Sequence, residues 1–202
     1  MKAPGRLSVA GILLLALLLT SGSELICSKK NGWLTQYDGI LHLPGLRDSV
    51  TVMRDDRGIP HIYATCEHDL YMVTGFIAAQ DRLWQMDLVR RSAAGRLSEI
   101  FGEPFMQADI FTRCLNIYKT AEAIMKEEDP VVMQCLEAYT EGVNAFITIN
   151  GKKLPLEFRL LSYRPEPWAV KDIVAIIGLM GWNLDYRNLT AELFFQQLIN
   201  RF

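Results

Sequence analysis

The sequence has little that marks a specialised class of protein. Its 202 residues include four cysteines, three histidines and no excess of either charge, with 21 Lys and Arg against 23 Asp and Glu. Four cysteines are too few for a disulfide scaffold, and their spacing gives neither CxxC nor a Cys/His zinc pattern. Balanced charge excludes a basic nucleic-acid-binding domain and an acidic tail. Because half of the residues are apolar, composition also excludes a disordered, collagen-like or multi-span membrane chain and indicates a globular protein.

The sequence also lacks the motifs of the common catalytic classes. There is no GxSxG, no Walker loop and no GxGxxG. His61 and His68 are seven residues apart, which fits no compact metal-ligand spacing, so we interpret both as structural or surface residues. We expect the charged residues of the following helical segment to form buried or half-buried ion pairs that orient helices: Asp81-Arg82 and Arg90-Arg91.

Residues 1–23 have the pattern of a secretory signal peptide. Two basic residues open the segment, an apolar run extends from Val9 to Leu19, and small residues follow up to Ser23. The run is shorter than the roughly 20 residues that span a bilayer, so we expect export and cleavage, with residues 24–38 as a leader. Lipidation at Cys27 is a minority alternative. Export would permit disulfides among the three remaining cysteines.

Hydrophobic periodicity predicts a small strand pair followed by four or five helices. The β-branched, alternating residues 49–55 and 59–64 flank a turn, which is typical of a β-hairpin. Pro60 cannot donate a ladder hydrogen bond, so its end of the hairpin is expected at a sheet edge. Helical spacing begins at Glu67 and predicts helices over the following ranges, with a break near 185–188 in the last as one alternative: 67–94, 97–101, 109–126, 129–150 and 172–202.

Six separated segments, taken in order, resemble one protein family. They are RDDRGIPHIYA (54–64), GFIAAQDRLWQMD (75–87), AGRLSEIFG (94–102), YTEGVNAFI (139–147), LPLEFRLL (154–161) and YRPEPW (163–168). Together they make the chain, from about residue 39 to about residue 192, similar to the α-chain half of the penicillin acylase (penicillin amidase) family of N-terminal-nucleophile hydrolases.

This resemblance implies an α+β fold, in which residues 39–202 are the mainly helical N-terminal part of an αββα sandwich and form an incomplete domain without a β chain. It also implies an exported precursor that cuts itself into α and β chains. The new N-terminal serine of the β chain would be the nucleophile and its own α-amine the base. An acyl-enzyme would then release a carboxylic acid, the substrate being a linear amide such as a penicillin or an acyl-homoserine lactone.

The resemblance assigns no catalytic residue to this chain, in which the only Gly-Ser pair, Gly22-Ser23, lies in the predicted signal. It places Met180 and Leu184 in the acyl pocket, on one helical face because they are four residues apart. Leu184 stands where the family often has an aromatic residue, and both could instead be core residues. It places Glu192 among the ligands of a calcium ion completed by β-chain carboxylates, the alternative being a solvated glutamate.

Two other functions fit the sequence. A truncated, catalytically inactive protein would expose its β-chain interface and act as a stand-alone binding or interaction protein. A lipoprotein-like binding module would have kept only the pocket helix. In each case we expect no nucleic-acid partner and, after removal of the signal, no stable membrane span. The coding sequence beyond Phe202 separates these possibilities from an acylase α chain.

Overall fold

The computed structural model describes residues 37–151 and 153–201. The predicted signal peptide and the leader up to residue 36, including Cys27, lie outside the described residues. Of the two units into which the chain divides, residues 1–38 and residues 39–202, the second contains all the strands and helices of the described part. The three cysteines of the described part, Cys66, Cys114 and Cys135, are free thiols.

A two-stranded antiparallel hairpin is the first regular element of the described residues, as the sequence predicted. Strand β1 is Thr51–Arg54 and strand β2 is Pro60–Tyr63, with Arg54 opposite Pro60 in the register. The Asp55 carboxylate stabilises the turn by accepting a hydrogen bond from the backbone N–H of Ile59 at 2.8 Å. The pair of Arg54 and Pro60 is the last of the ladder, next to the turn. At this position the missing N–H of proline costs little, because the ladder ends there.

Helices form the rest of the described chain. A single 3-10 turn at Glu103–Phe105 joins two of them. The predicted mainly helical fold with a small strand pair is thus confirmed. The helices are α1 Glu67–Ala94, α2 Ser98–Phe101, α3 Met106–Leu115, α4 Ile117–Glu127, α5 Pro130–Ile149, α6 Leu156–Leu160 and α7 Val170–Ile199.

The helices differ from the periodicity-based predictions in where they are split, continuous or bent. The predicted helix 109–126 is two helices, because Asn116 adopts a left-handed conformation (φ 60°) between α3 and α4, which asparagine tolerates better than most residues. Helix α7 runs without a break through residues 185–188. Helix α1 instead bends at Arg82, whose backbone is non-helical (φ −144°, ψ 24°); hydrophobic spacing carried no sign of this bend.

The closest packing in the fold is between α1 and α5. A Cβ atom added to Gly75 would lie 2.0 Å from the Tyr139 carbonyl oxygen, and one added to Gly142 would lie 1.8 Å from the Met72 carbonyl oxygen. Only glycine permits this approach of two backbones. Around the contact lies the main core, joined by a smaller cluster where the end of α1 meets α4 and α7. The buried members of the main core are Val73, Phe76, Ile77, Ala79, Leu83, Val143, Phe146, Leu154, Phe158 and Trp168.

Replacing Gly142 by alanine is expected to unfold or strongly destabilise the protein. The added methyl group would meet the backbone of α1, which cannot move aside as a flexible side chain can, so we expect a loss of at least about 3 kcal/mol. The matched control is Gly181→Ala, where nothing lies within 4 Å of the added atom and the higher helix propensity of alanine favours a small gain. Thermal unfolding of the polypeptide that carries this chain measures both; equal midpoints for the two variants would contradict the close-packing argument.

Candidate functional site

A groove of about 420 Å³ runs between α1, α5 and α7. Its exposed lining is almost wholly apolar. Each helix contributes residues at helical spacing, which places them on one face. Helix α1 contributes Tyr71, Arg82, Gln85, Met86 and Val89, α5 contributes Cys135, Leu136 and Tyr139, and α7 contributes Ile173, Ile176 and Met180, while Trp168 precedes α7.

A buried carboxylate holds together the elements that form the groove. Asp87 on α1 is fully buried and ion-paired with Arg90, and its Oδ2 accepts hydrogen bonds from Arg91 Nε at 3.0 Å and from the Tyr163 hydroxyl at 2.9 Å. Burial, and then the neighbouring Asp87 charge, raise the pKa of the Tyr163 hydroxyl well above its usual value. Because the partners of Asp87 saturate it, this carboxylate stabilises structure and is not a free general base.

A second set of ion pairs fixes the segment that leads into α7. Arg96 binds the Glu166 carboxylate through two nitrogens, at 2.7 and 2.9 Å, and also contacts Glu99 at 2.8 Å. The hydrogen bonds from Arg96 lower the pKa of Glu166 to about 2. Arg90 adds a hydrogen bond to the Glu166 carbonyl oxygen at 3.1 Å. These contacts position the Trp168 side chain at the groove.

Trp168 is itself held from two sides. Its backbone N–H donates to Asn144 Oδ1 at 2.7 Å, and Asn144 Nδ2 donates back to the Trp168 carbonyl at 2.8 Å. The Arg90 guanidinium lies over the indole ring, 4.9 Å from its centroid. The indole Nε1 is buried and has no hydrogen-bond partner in the described part of the chain. The ring is therefore fixed by its backbone and by the cation.

Asp172 fixes the start of α7. Its carboxylate accepts a hydrogen bond from the backbone N–H of Ala169 at 2.9 Å, which satisfies one of the free donors at the helix N-terminus. It also accepts a hydrogen bond from the Tyr118 hydroxyl at 3.0 Å and lies 3.6 Å from Arg90. Burial and the Asp172 charge raise the pKa of Tyr118 to about 12. The groove wall formed by α7 is thus oriented from both α4 and α1.

The structure places one of the two residues of the predicted acyl pocket at the groove. Met180 lines it, with its side chain 58% exposed. Leu184 lies one turn further along α7, 68% exposed and not among the groove-lining residues. Neither side chain belongs to the core of the described chain. Their contact with an acyl group remains a prediction.

The predicted calcium ligand, Glu192, belongs to no cluster of potential metal ligands among the described residues. Glu192 is exposed on α7, and within residues 37–151 and 153–201 no cluster of three or more His, Cys, Asp or Glu residues could hold a metal ion. If calcium binds here, Glu192 would contribute a carboxylate, the hard oxygen donor that calcium prefers. Calcium binding at Glu192 remains a prediction that depends on ligands from elsewhere.

The other charged and histidine residues are distributed partly as predicted. Arg90 and Arg91 are buried and ion-paired, which confirms the expectation for that pair. Asp81 pairs with Arg54 of the hairpin at 2.8 Å rather than with a helix partner, and Arg82 makes no ion pair or hydrogen bond with the described residues. His68 Nδ1 lies 2.9 Å from the buried Asp69 carboxylate, a structural contact.

Sequence reasoning missed the contributions of α1 and α5 to the groove. A usable signal was present, since Arg82, Gln85, Met86 and Val89 follow the i, i+3, i+4, i+7 pattern of one helical face. Residues at this spacing more often face the hydrophobic core. Only the packing of three helices shows that these four residues line an open groove. The bend at Arg82, which starts this face, left no trace in the pattern.

Comparison with known proteins places this scaffold in a class. The family model described as penicillin amidase matches residues 49–202. The chain belongs to the penicillin amidase family.

Several relatives are similar over most of the chain. Penicillin acylase 2 proenzyme of Pseudomonas sp. (strain SE83) is 43% identical over 71% of this chain and 18% of its own length. Acyl-homoserine lactone acylase QuiP of Pseudomonas fluorescens (strain Pf0-1) is 34% identical over 77% of this chain and 19% of its own length. The chain thus spans about a fifth of the length of the curated relatives it matches.

A solved structure is similar in fold. Thermostable penicillin G acylase from Alcaligenes faecalis superimposes with a TM-score of 0.56 at 31% identity, covering 65% of this chain and 72% of that one. This match confirms the predicted fold class for the part of the chain it covers. None of the helices in the described residues is long and apolar enough to cross a membrane.

The Arg96–Glu166 pair gives an expected dependence of stability on pH. The pKa of Glu166 is about 2 in the folded protein, below the ordinary 4.5 of the unfolded chain, so its contribution is present above pH 4.5 and is lost as pH falls toward 2. Glu166→Gln should therefore destabilise the protein most near pH 6 and progressively less toward pH 3. Because Glu166 is half exposed, solvent screening keeps the effect small.

Chemical denaturation at several pH values measures this effect. The control is Glu137→Gln, which changes an exposed glutamate of α5 that makes no ion pair with the described residues. A Glu166→Gln effect that stays constant between pH 6 and pH 3 would show that the ion pair does not carry the contribution.

Proposed function

We propose that this chain is the α-chain portion of an exported amidohydrolase that cleaves a linear amide of an N-acyl compound. One observation carries the proposal: a member of the penicillin amidase family has an open apolar groove and a largely exposed apolar last helix. Its relatives named penicillin acylase and acyl-homoserine lactone acylase support an acyl amide as the substrate class.

The reaction we propose takes place on a β chain of the same precursor. The N-terminal serine of that chain attacks the amide carbonyl while its own α-amine, whose ordinary pKa is near neutral, accepts the proton. The amine product leaves as the acyl-enzyme forms, and water then releases the carboxylic acid. Backbone or side-chain donors of the β chain would stabilise the oxyanion.

The buried carboxylates of this chain support the assignment of the nucleophile and base to the β chain. Asp109 accepts hydrogen bonds from the backbone N–H groups of Leu97 and Ser98 at 2.9 and 2.7 Å. Asp69 accepts from the backbone N–H groups of Arg47 and Asp48, at about 3 Å. Like Asp87, these groups are engaged in holding the fold, so acid–base chemistry falls to another part of the protein.

The part of this chain in the proposed reaction is to bind and orient the acyl group. Met180 and Leu184 present more than half of their side chains on one face of α7, where an acyl group held by the β chain would meet them. Glu192, further along the same helix, would supply one carboxylate to a structural calcium ion shared with the β chain. In this proposal neither group takes part in bond breaking.

Helix α7 supports association with a β chain. Beyond Leu184 its apolar side chains are exposed in the described chain, and an apolar surface of this extent is typical of an interaction site. The export step of the proposal depends on the signal-like residues 1–23. The exposed apolar residues are Leu189, Leu193, Phe194, Phe195, Leu198 and Ile199.

An inactive binding protein is the second candidate. The observation that favours it is that three helices of this chain form the groove without help from another chain. Such a protein would bind an apolar ligand and hydrolyse nothing.

Hydrolysis separates the two candidates. The polypeptide that carries this chain should be processed to a second chain beginning with serine, and should release amine from phenylacetyl and octanoyl anilides. Mass spectrometry should show that new chain acylated during turnover. Residues 39–202 produced without it should release no amine. Saturable turnover by residues 39–202 that survives repurification would overturn the assignment of the chemistry to the β chain.

Substitutions at the acyl-binding face should change acyl preference and spare stability. Leu184→Phe should favour compact phenylacetyl over octanoyl groups, and Met180→Ala should do the reverse by opening space. Apolar pockets discriminate by about 1–3 kcal/mol per methylene, so we expect the ratio of kcat/KM values to change about tenfold.

The matched control is Val131→Ala, an exposed apolar residue on α5 that does not line the groove; it should leave the ratio unchanged. Because Met180 and Leu184 are largely exposed, thermal midpoints should stay close to that of the parent protein. Equal losses on both substrates, in step with lost stability, would show that these residues are buried against the rest of the protein rather than in contact with the acyl group.

A further inference from the structure

Among the described residues that line the groove, Arg82 is a cation without an acidic partner. Arg82 lies at the bend of α1 and lines the groove, is exposed, and forms no ion pair or hydrogen bond with the described residues. The other arginines of α1 differ in this respect, since Arg90 and Arg91 are both paired with Asp87. A guanidinium left unpaired beside an apolar wall can bind an anion.

The charge around Arg82 favours an anionic ligand. The adjacent carboxylate, Asp81, is held by Arg54 through two hydrogen bonds at 2.8 and 3.0 Å. Among the described residues that line the groove there is no aspartate or glutamate, and Gln85 is neutral. Of the described lining residues, Arg82 alone therefore carries a formal charge, beside a surface that is otherwise almost wholly apolar.

The rest of the groove suits an aliphatic tail. Its volume of about 420 Å³ lies within the 300–1,000 Å³ typical of small-molecule sites. Each of the three helices contributes an apolar or aromatic side chain to the lining: Met86 of α1, Tyr139 of α5 and Ile176 of α7. Burial of a hydrocarbon tail against these side chains is favourable in proportion to the apolar area removed from water.

We propose that this groove binds a carboxylate anion with an aliphatic tail, the carboxylate pairing with Arg82 and the tail lying between Met86, Tyr139 and Ile176. The planar guanidinium matches a carboxylate with two parallel hydrogen bonds. Binding needs no hydrolysis, so the site goes beyond the proposed function. The ligand is a free acid, whether released by an amidase reaction or taken from the surroundings, because a neutral amide or ester offers no charge to Arg82.

A thiol in the wall of the groove reports its occupancy. Cys135 lines the groove and is partly exposed, whereas Cys114 on α3 is exposed outside it. In the full polypeptide that carries this chain, limited alkylation followed by peptide mass spectrometry gives the labelling rate of each thiol in one sample. Cys114 is the internal control for any general effect of the additive on reactivity.

The probe is sodium decanoate below its micelle concentration, with methyl decanoate as the uncharged analogue. Decanoate should slow the alkylation of Cys135 and leave that of Cys114 unchanged, and methyl decanoate should protect more weakly. Arg82→Gln should raise the decanoate concentration needed for half-protection about tenfold, the effect of losing a charged hydrogen-bond partner. Arg57→Gln, which removes the same charge at the hairpin turn, should not.

Three results would overturn the proposal. Equal protection by the acid and its methyl ester, or by the parent and Arg82→Gln, would show that the groove does not recognise the carboxylate. Failure of decanoate to protect a reactive Cys135 would show that no such acid enters. A Cys135 that resists alkylation from the start, while Cys114 reacts, would show that the rest of the polypeptide fills the groove. A further measurement separates acid released by an amidase reaction from acid taken from the surroundings. A phenylacetyl or octanoyl amide is added to the processed protein, and protection of Cys135 from alkylation should appear as the acid is released.

Discussion

The backbone contact between α1 and α5 is the constraint on which the rest of the fold depends. At Gly75 and Gly142 the two helices approach so closely that neither can carry a side chain there. This approach sets the distance between α1 and α5. Because the groove also lies between these two helices and α7, the same distance helps to set its width. Helix α7 and the 163–168 segment pack onto a pair whose spacing is already fixed.

Charge then fixes the orientation of what packs on that pair. Asp87 binds Arg90, Arg91 and Tyr163, and Arg90 reaches in turn to the segment before α7 and to Asp172 at its start. An ion-pair network in the interior is costly to desolvate and contributes specificity more than stability. Here the network links α1, the segment before α7 and the start of α7. Directional hydrogen bonds fix the relative orientation of these elements, which non-directional apolar packing does not. The same contacts engage the Asp87 carboxylate in three hydrogen bonds that hold the structure.

The fold could be predicted from the sequence to the extent that local patterns decide it. The alternating residues around Asp55-Asp56-Arg57-Gly58 predicted the hairpin, and helical spacing from Glu67 predicted α1, which ends at Ala94 before Gly95 (φ 63°). The break at Asn116 and the bend at Arg82 were missed, because each depends on a single backbone conformation that hydrophobic spacing does not encode. The continuity of α7 through residues 185–188 was underestimated because this stretch contains no aliphatic residue, so hydrophobic spacing does not show whether the helix continues there.

The candidate site was predictable only in part, and the reason is physical. Family resemblance placed Met180 on a helix face, and Met180 does line a groove, but the groove is made by residues from three helices that lie up to 109 positions apart in the chain (Tyr71 to Met180). No window of sequence shows that Cys135 and Arg82 line the same groove. The exposed apolar residues of α7 beyond Leu184 have no covering element in the described chain. The first turns of α7 pack into the core, where Val174, Ala175 and Leu179 are buried, whereas its last turns are exposed in the described residues. The groove is therefore formed by the described chain itself, and the far end of α7 is an adjoining apolar surface of the kind that is typical of an interaction site.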